Sequence, residues 1–274
     1  MTSESLLSHL KKYKIIIAFA ALAQTWLSYQ LFNIPINPYI LLFVTIATPF
    51  SYRLAESFSY ERNQDEHPFL KFEKILFGFT FVFLIYIASH FNKNIIGQFA
   101  IAAIIAIGYN LPLKPNKNNT FRLRQIKGLK VFLIAFSWTF VTVYIPINYY
   151  VENKISLAIV FINNFLFIAI LSLLFDIKDF QKDKENNLPS IPVLIGVTKS
   201  YHIIQLILAL LVISTCYLND DVGFTTTAAL LLHILFSYVV IFKLKSSHKN
   251  FYYTILIDGL LISQALVVWI AKNL

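Results

Sequence analysis

Asp176, Asp179 and Asp183 follow directly on a long apolar run, in the segment LLFDIKDFQKDKENNLPSIPVLIG from Leu173 to Gly196. Their spacing of i, i+3, i+7 predicts a shared helix face. Like charges held that close repel, and a shared divalent cation relieves the repulsion. Oxygen donors with little His or Cys nearby suit Mg2+, which commonly bridges a few carboxylates to a substrate phosphate. The same acids also fit a solvated loop in which Lys178, Lys182 and Lys184 neutralise them.

A second cluster has the opposite sign. The segment YNLPLKPNKNNTFRLRQIKGLK carries Lys114, Lys117, Arg122, Arg124, Lys127 and Lys130. Such a loop can do no more than fix membrane orientation, or it can cradle an anionic headgroup, with Arg gripping phosphate oxygens in bidentate fashion. An acidic site and a basic loop on one membrane face suit a diphosphate bridged by Mg2+.

The elements that must position these groups are legible in the composition. The chain is 57% hydrophobic and 14% charged, well below the roughly 25% charged of an ordinary soluble domain. Apolar runs recur at about 15–32, 38–58, 75–91, 95–112, 130–149, 156–177, 200–218, 223–242 and 251–271. Runs of this length are expected to cross a bilayer as helices, because backbone groups in lipid must bond within their own segment. The expected fold is an all-α polytopic bundle of nine transmembrane helices around a central cavity, a single domain over 1–274. Twenty of the 23 Lys and Arg fall in loops on one side and three, Lys93, Lys154 and Lys272, on the other. That bias places the acids, the basic loop and the N-terminus in the cytoplasm and the C-terminus outside. It also accounts for the net charge of +9 without nucleic acid. No cleaved signal peptide is expected at the N-terminus, and Cys216, alone in an apolar run, is expected to be inert packing.

These residues resemble a known family. Asp176-Ile-Lys-Asp179-Phe-Gln-Lys-Asp183, followed by Ser190, Pro192-Val193 and Ile195-Gly196, is similar to the second aspartate motif of the UbiA-type intramembrane prenyltransferases. That motif is D-x-x-D-x-x-x-D and then T-x-P-V-x-x-G, with Ser190 here in place of the Thr. Tyr109-Asn110-Leu111-Pro112 resembles the family's Y-S-x-P element, and Leu129-Lys130 with Ala135 to Trp138 resembles its L-K…A-x-S-W element. The spacing to Trp138 favours Lys130 as the family's lysine, with Lys127 as the rival. The family's first motif, N-x-x-x-D-x-x-x-D-x-x-N with a following proline, keeps Asn63 and Pro68. Its three metal-binding positions fall on Tyr52, Glu56 and Tyr60. With Asn63 these still share one helix face, but most of the ligand chemistry has changed.

The resemblance implies a cytoplasmic-membrane, Mg2+-dependent transferase. It would move a prenyl or polyprenyl group from its diphosphate to a small aromatic acceptor, as in quinone or related lipid biosynthesis. Asp179 and Asp183 would hold the metal, with Asp176 supporting and Glu56 contributing from the first motif. Tyr52, Tyr60, Asn63, Tyr109, Arg122, Arg124 and Lys127 or Lys130 would contact substrate. Asp65 and Glu66 are candidate displaced ligands. Two alternatives stay open. The altered first motif allows a non-catalytic isoprenoid-binding protein on the same fold. Asp258, embedded in the ninth apolar run, allows a transporter, although no inverted repeat stands out. Its acid either serves a function, as intramembrane acids commonly do, or reaches the interface.

Overall fold

The computed structural model describes residues 14–60, 71–110, 126–244 and 250–274, with the backbone alone at 56–60, 71–73, 110, 244 and 250–254. Among these residues the chain is helical and contains no strand. The long helices are α1 (Ile15–Leu31), α2 (Pro38–Tyr60), α3 (Lys71–Ala88), α4 (Lys93–Asn110) and α5 (Leu129–Thr139), which runs through a π-helical turn (Phe140–Tyr144) to Ile147. After these come α6 (Lys154–Lys178), the short α7 (Phe180–Glu185) and α8 (Ile191–Ile195), and α9 (Val197–Tyr217). The short α10 (Asn219–Val222), α11 (Phe224–Leu244) and α12 (Asn250–Asn273) complete the chain. Each apolar run anticipated from sequence coincides with a helix. Among the described residues, five stretches are long and apolar enough to cross a membrane: Leu129–Ile147, Lys154–Lys178, Val197–Tyr217, Phe224–Lys243 and Ile255–Asn273.

Several helix starts follow from local chemistry. Asn153 accepts from the Ile155 N–H at 3.0 Å to cap α6, and Asn37 and Asn92 do the same for α2 and α4. In α2, Pro49 removes one backbone donor. Around it the Thr45, Thr48 and Ser51 hydroxyls donate to the carbonyls of Leu41, Val44 and Thr48, occupying acceptors that no water would reach in lipid.

Helix α6 is the most deeply buried of the five. It packs against α5, α9 and α12, while α12 closes the bundle against α1. Phe167, Ile170 and Leu174 on α6 are fully buried and meet Ile204 and Leu211 of α9 and Leu260 of α12. Large apolar side chains such as Phe79 (71% exposed) and Ile104 (69% exposed) face outward, as a lipid-facing surface requires. Cys216 is exposed as well, so the expectation that it packs inside is corrected. It lies on the outer side of α9, where a thiol is tolerated by lipid as a small apolar group.

One feature of the interior carried no sequence signal. Gln24, Thr139 and Asn164 form a fully buried chain: Thr139 donates to Asn164 (3.0 Å), Asn164 donates to Gln24 (2.6 Å), and Gln24 donates to the Leu261 carbonyl (2.8 Å). Ser28 joins it by donating to the Thr142 carbonyl (2.8 Å), inside the π-helical turn. The network ties α1, α5, α6 and α12 together and leaves few of its polar groups unmatched inside an apolar bundle.

Candidate functional site

The site lies where the starts of α1, α5 and α12 meet the ends of α2 and α6. A cavity of about 360 Å³ opens there, within the usual size range for small-molecule sites. Lys14, Tyr52, Lys130, Trp138, Ser172, Asp176, Lys178, Asp179 and Asp258 supply its polar lining. Ile16, Ile134, Ile168, Leu171, Phe175, Ile255 and Leu261 supply the apolar remainder.

The three aspartates do not act as one face. Helix α6 ends at Lys178, and Asp179 leaves helical geometry with φ −88° and ψ 9° before α7 begins. The break separates the acids. Asp176 is fully buried and Asp183 is 5% exposed. Lys130 joins them, with its Nζ 2.5 Å from Asp176 Oδ1 and 3.8 Å from Asp183 Oδ2. The Asp179 side chain is 43% exposed and lies 3.9 Å from Lys178 Nζ. Among the described residues, no three His, Cys, Asp or Glu side chains come close enough to share an ion. The i, i+3, i+7 spacing would have aligned the acids only on an unbroken helix.

Of Lys127 and Lys130, it is Lys130 that lines the cavity. Lys127 is exposed in the turn before α5 and does not line the cavity. Lys130 is reached because Gly128, with φ +70°, starts α5 two residues earlier, a conformation that glycine adopts without a Cβ penalty. Tyr109, half-buried at the end of α4, lies within electrostatic range of both Lys130 and Tyr52. Tyr52 accepts a hydrogen bond from Trp138 Nε1 at 3.3 Å, so the first-motif helix and the L-K…W helix meet directly. Glu56 and Tyr60 fall on α2, where only the backbone is described. Asn63, Asp65, Glu66, Arg122 and Arg124 lie outside the described residues.

After the acids, Ser190 precedes α8 with its hydroxyl buried and without a hydrogen-bond partner among the described residues. Gly196 links α8 to α9 at φ +88° and ψ 156°, a region open essentially to glycine alone. The sequence pattern thus marks a chain reversal that returns α9 against α6.

A model of the UbiA prenyltransferase family matches residues 71–253. The chain belongs to that family. The fold agrees with solved UbiA structures. A UbiA homolog from Archaeoglobus fulgidus bound to GPP and Mg2+ is 16% identical, with a TM-score of 0.66 over 94% of this chain and 98% of that one. A digeranylgeranylglyceryl phosphate synthase is 17% identical, with a TM-score of 0.59 over 98% and 97%. The apo form of a UbiA homolog from Aeropyrum pernix K1 is 13% identical, with a TM-score of 0.64 over 92% and 98%. No curated protein sequence matches the chain closely enough to add to this. The chain therefore has a UbiA-type membrane prenyltransferase fold.

The sequence does not single out Lys14, Lys178 or Trp138 as substrate-contacting residues, yet all three line the cavity. Lys178 lies inside the D-x-x-D motif itself, which was an available clue. Lys14 had no such signal. His233, by contrast, is a core residue: its Nε2 lies 3.0 Å from the Ser263 hydroxyl. Asp221 accepts from the Ser156 hydroxyl at 2.5 Å, which ties α10 to the first turn of α6.

Proposed function

We propose that this protein transfers a prenyl or polyprenyl group from its diphosphate to a small aromatic acceptor, from the cytoplasmic side of the cell membrane, through a nine-helix bundle. The observation that carries this reading is the union, in one cavity, of a carboxylate and lysine mouth with an apolar interior.

The residues fit Mg2+. Asp176 and Asp183 present hard oxygen donors, and Asp176 Oδ2 is buried without a hydrogen-bond partner among the described residues, as an oxygen kept for a cation would be. Asp176 and Asp183 would hold the ion, with Asp179 at the rim and Glu56 approaching from α2. When bound, the ion supplies Lewis-acid stabilisation of the charge that gathers on the diphosphate.

The chain's own groups do the rest. Lys130, between the two acids, would turn its ammonium to the diphosphate once the carboxylates are otherwise engaged. Lys14 and Lys178 would add positive charge at the same mouth, and Arg122 and Arg124 would reach it from the basic loop. Tyr109, Tyr60 and Asn63 would hydrogen-bond phosphate oxygens. Phe175, Trp138, Ile134 and Leu171 would surround the departing allylic carbon, where an aromatic face tolerates developing positive charge and an apolar wall excludes the water that would quench it.

The test is Mg2+-dependent incorporation of labelled prenyl diphosphate by purified protein, with several acceptors. Equal turnover by the wild type and Asp183→Asn would sink the proposal. A second reading, an isoprenoid-binding protein without turnover, is favoured by one observation: a phenol, Tyr52, lines the cavity where the family pattern has a ligand. It predicts co-purified lipid and no diphosphate release.

A further inference from the structure

Asp258 belongs to none of the motifs that carry the family resemblance, yet it lines the same cavity as Asp176 and Lys130. It stands on α12, near the opposite end of the sequence from Lys14, and Ile255 and Leu261 of the same helix line the cavity beside it. It is 7% exposed. An acid within a membrane helix normally faces a partner or a cavity that uses it. Lys178 and Lys14 lie in electrostatic range and offset its charge from the ends of α6 and α1. Tyr52 lies in its field. Because the Tyr52 oxygen accepts from Trp138, the phenol keeps its own proton available to donate. The lining thus has two acidic poles. One is Asp176, paired with Lys130, and the other is Asp258, with Tyr52 in its field.

We propose that Asp258 is the acceptor-side residue of this cavity: it accepts a hydrogen bond from the O–H or N–H of an uncharged acceptor and receives its proton. The proposal rests on the transferase reading above. In the step, the C1–O bond of the prenyl diphosphate breaks and its electron pair leaves on the diphosphate. An electron pair of the acceptor forms the new bond to C1, and the acceptor's proton passes to the Asp258 carboxylate. A phenol, naphthol or aryl amine suits this pole. A ring bearing its own carboxylate would meet the charge of Asp258 at close range and be disfavoured.

Binding decides the matter even without turnover. Detergent-purified wild type, Asp258→Leu and Asp258→Asn are titrated with 1-naphthol and with naphthalene, in the presence of Mg2+ and geranyl diphosphate. Labelled geranyl diphosphate binding is measured separately. Neither substitution leaves a buried charge, so both should fold. The expected result is that Asp258→Leu weakens 1-naphthol about tenfold or more, as loss of a charged hydrogen-bond partner implies. Naphthalene and geranyl diphosphate should stay within about threefold on the same basis. Asp258→Asn, which keeps a hydrogen-bond acceptor but cannot take the proton, should retain more of the naphthol affinity and lose product formation. Three results overturn the proposal. In the first, wild type binds the two rings equally. In the second, Asp258→Leu leaves 1-naphthol unchanged. In the third, geranyl diphosphate affinity falls in parallel, which would assign Asp258 to the diphosphate or the fold. If wild type binds both ligands but never forms product, the transferase reading fails while the binding contrast still judges Asp258.

Discussion

Lys130→Met is the most informative perturbation, because Lys130 holds two buried acids at once. Its ammonium lies 2.5 Å from Asp176 Oδ1, and the Asp176 side chain is 1% exposed while that of Lys130 is 27% exposed. At an effective dielectric constant of about 20, a unit pair at that distance attracts by roughly 6–7 kcal/mol. Most of this is offset by the cost of removing both charges from water, so the pair as a whole contributes little. Removing one partner is different, since it leaves Asp176 and Asp183 buried without their shared cation. Breaking buried pairs in this way typically costs about 3–5 kcal/mol. The partial exposure of Lys130 and the open cavity beside it place the expected loss near the low end, about 3 kcal/mol. Methionine preserves the stem's packing, so the loss reports charge rather than volume. Adding Asp176→Asn to Lys130→Met should restore part of it, about 1–2 kcal/mol, because Asp183, 3.8 Å from the missing ammonium, is then the one buried acid left without a cation. The assay is denaturation of detergent-solubilised protein by sodium dodecyl sulfate, followed by far-ultraviolet circular dichroism. A loss below about 1 kcal/mol for Lys130→Met, or no rescue by Asp176→Asn, would mean that water in the cavity already solvates Asp176, and the argument from burial would be wrong.

Three further outcomes are expected. Asn164→Leu leaves Gln24 and Thr139 without a shared partner and should cost about 1–2 kcal/mol in the same assay, the usual scale for polar contacts between membrane helices; an unchanged midpoint would show that the network adds nothing. Gly196→Ala meets open space but sits at φ +88°, so it should cost about 1–3 kcal/mol through backbone strain alone, and Gly196→Asn should cost a similar amount; neutral behaviour of both would place the reversal elsewhere. Removal of divalent metal with EDTA should abolish diphosphate release while leaving the thermal unfolding midpoint in place, because the helices that frame the site are held by apolar packing such as Phe167, Leu174 and Ile204; a large drop in the midpoint would make the metal structural.

The sequence by itself determined which segments are helices. In a bilayer an apolar run has few conformations open to it besides the helix, so hydropathy alone located α1 to α6, α9, α11 and α12. It also pointed to Asp176, Asp183 and Lys130, whose motifs are local and whose side chains meet in the structure. Tertiary structure decided which of these groups meet. Lys127 and Lys130 looked interchangeable along the chain, but only Lys130 enters the cavity, because α5 starts at Gly128. Asp179 looks equivalent to its neighbours along the chain, but the helix breaks at that residue, and its side chain lines the cavity 43% exposed beside Lys178 rather than paired with Lys130. Lys14 and Asp258 carried no pairing signal at all. They face one cavity because α12 packs back on α1, and a contact across the whole length of a chain is set by which helix faces pack together, which the hydropathy of a single segment does not record.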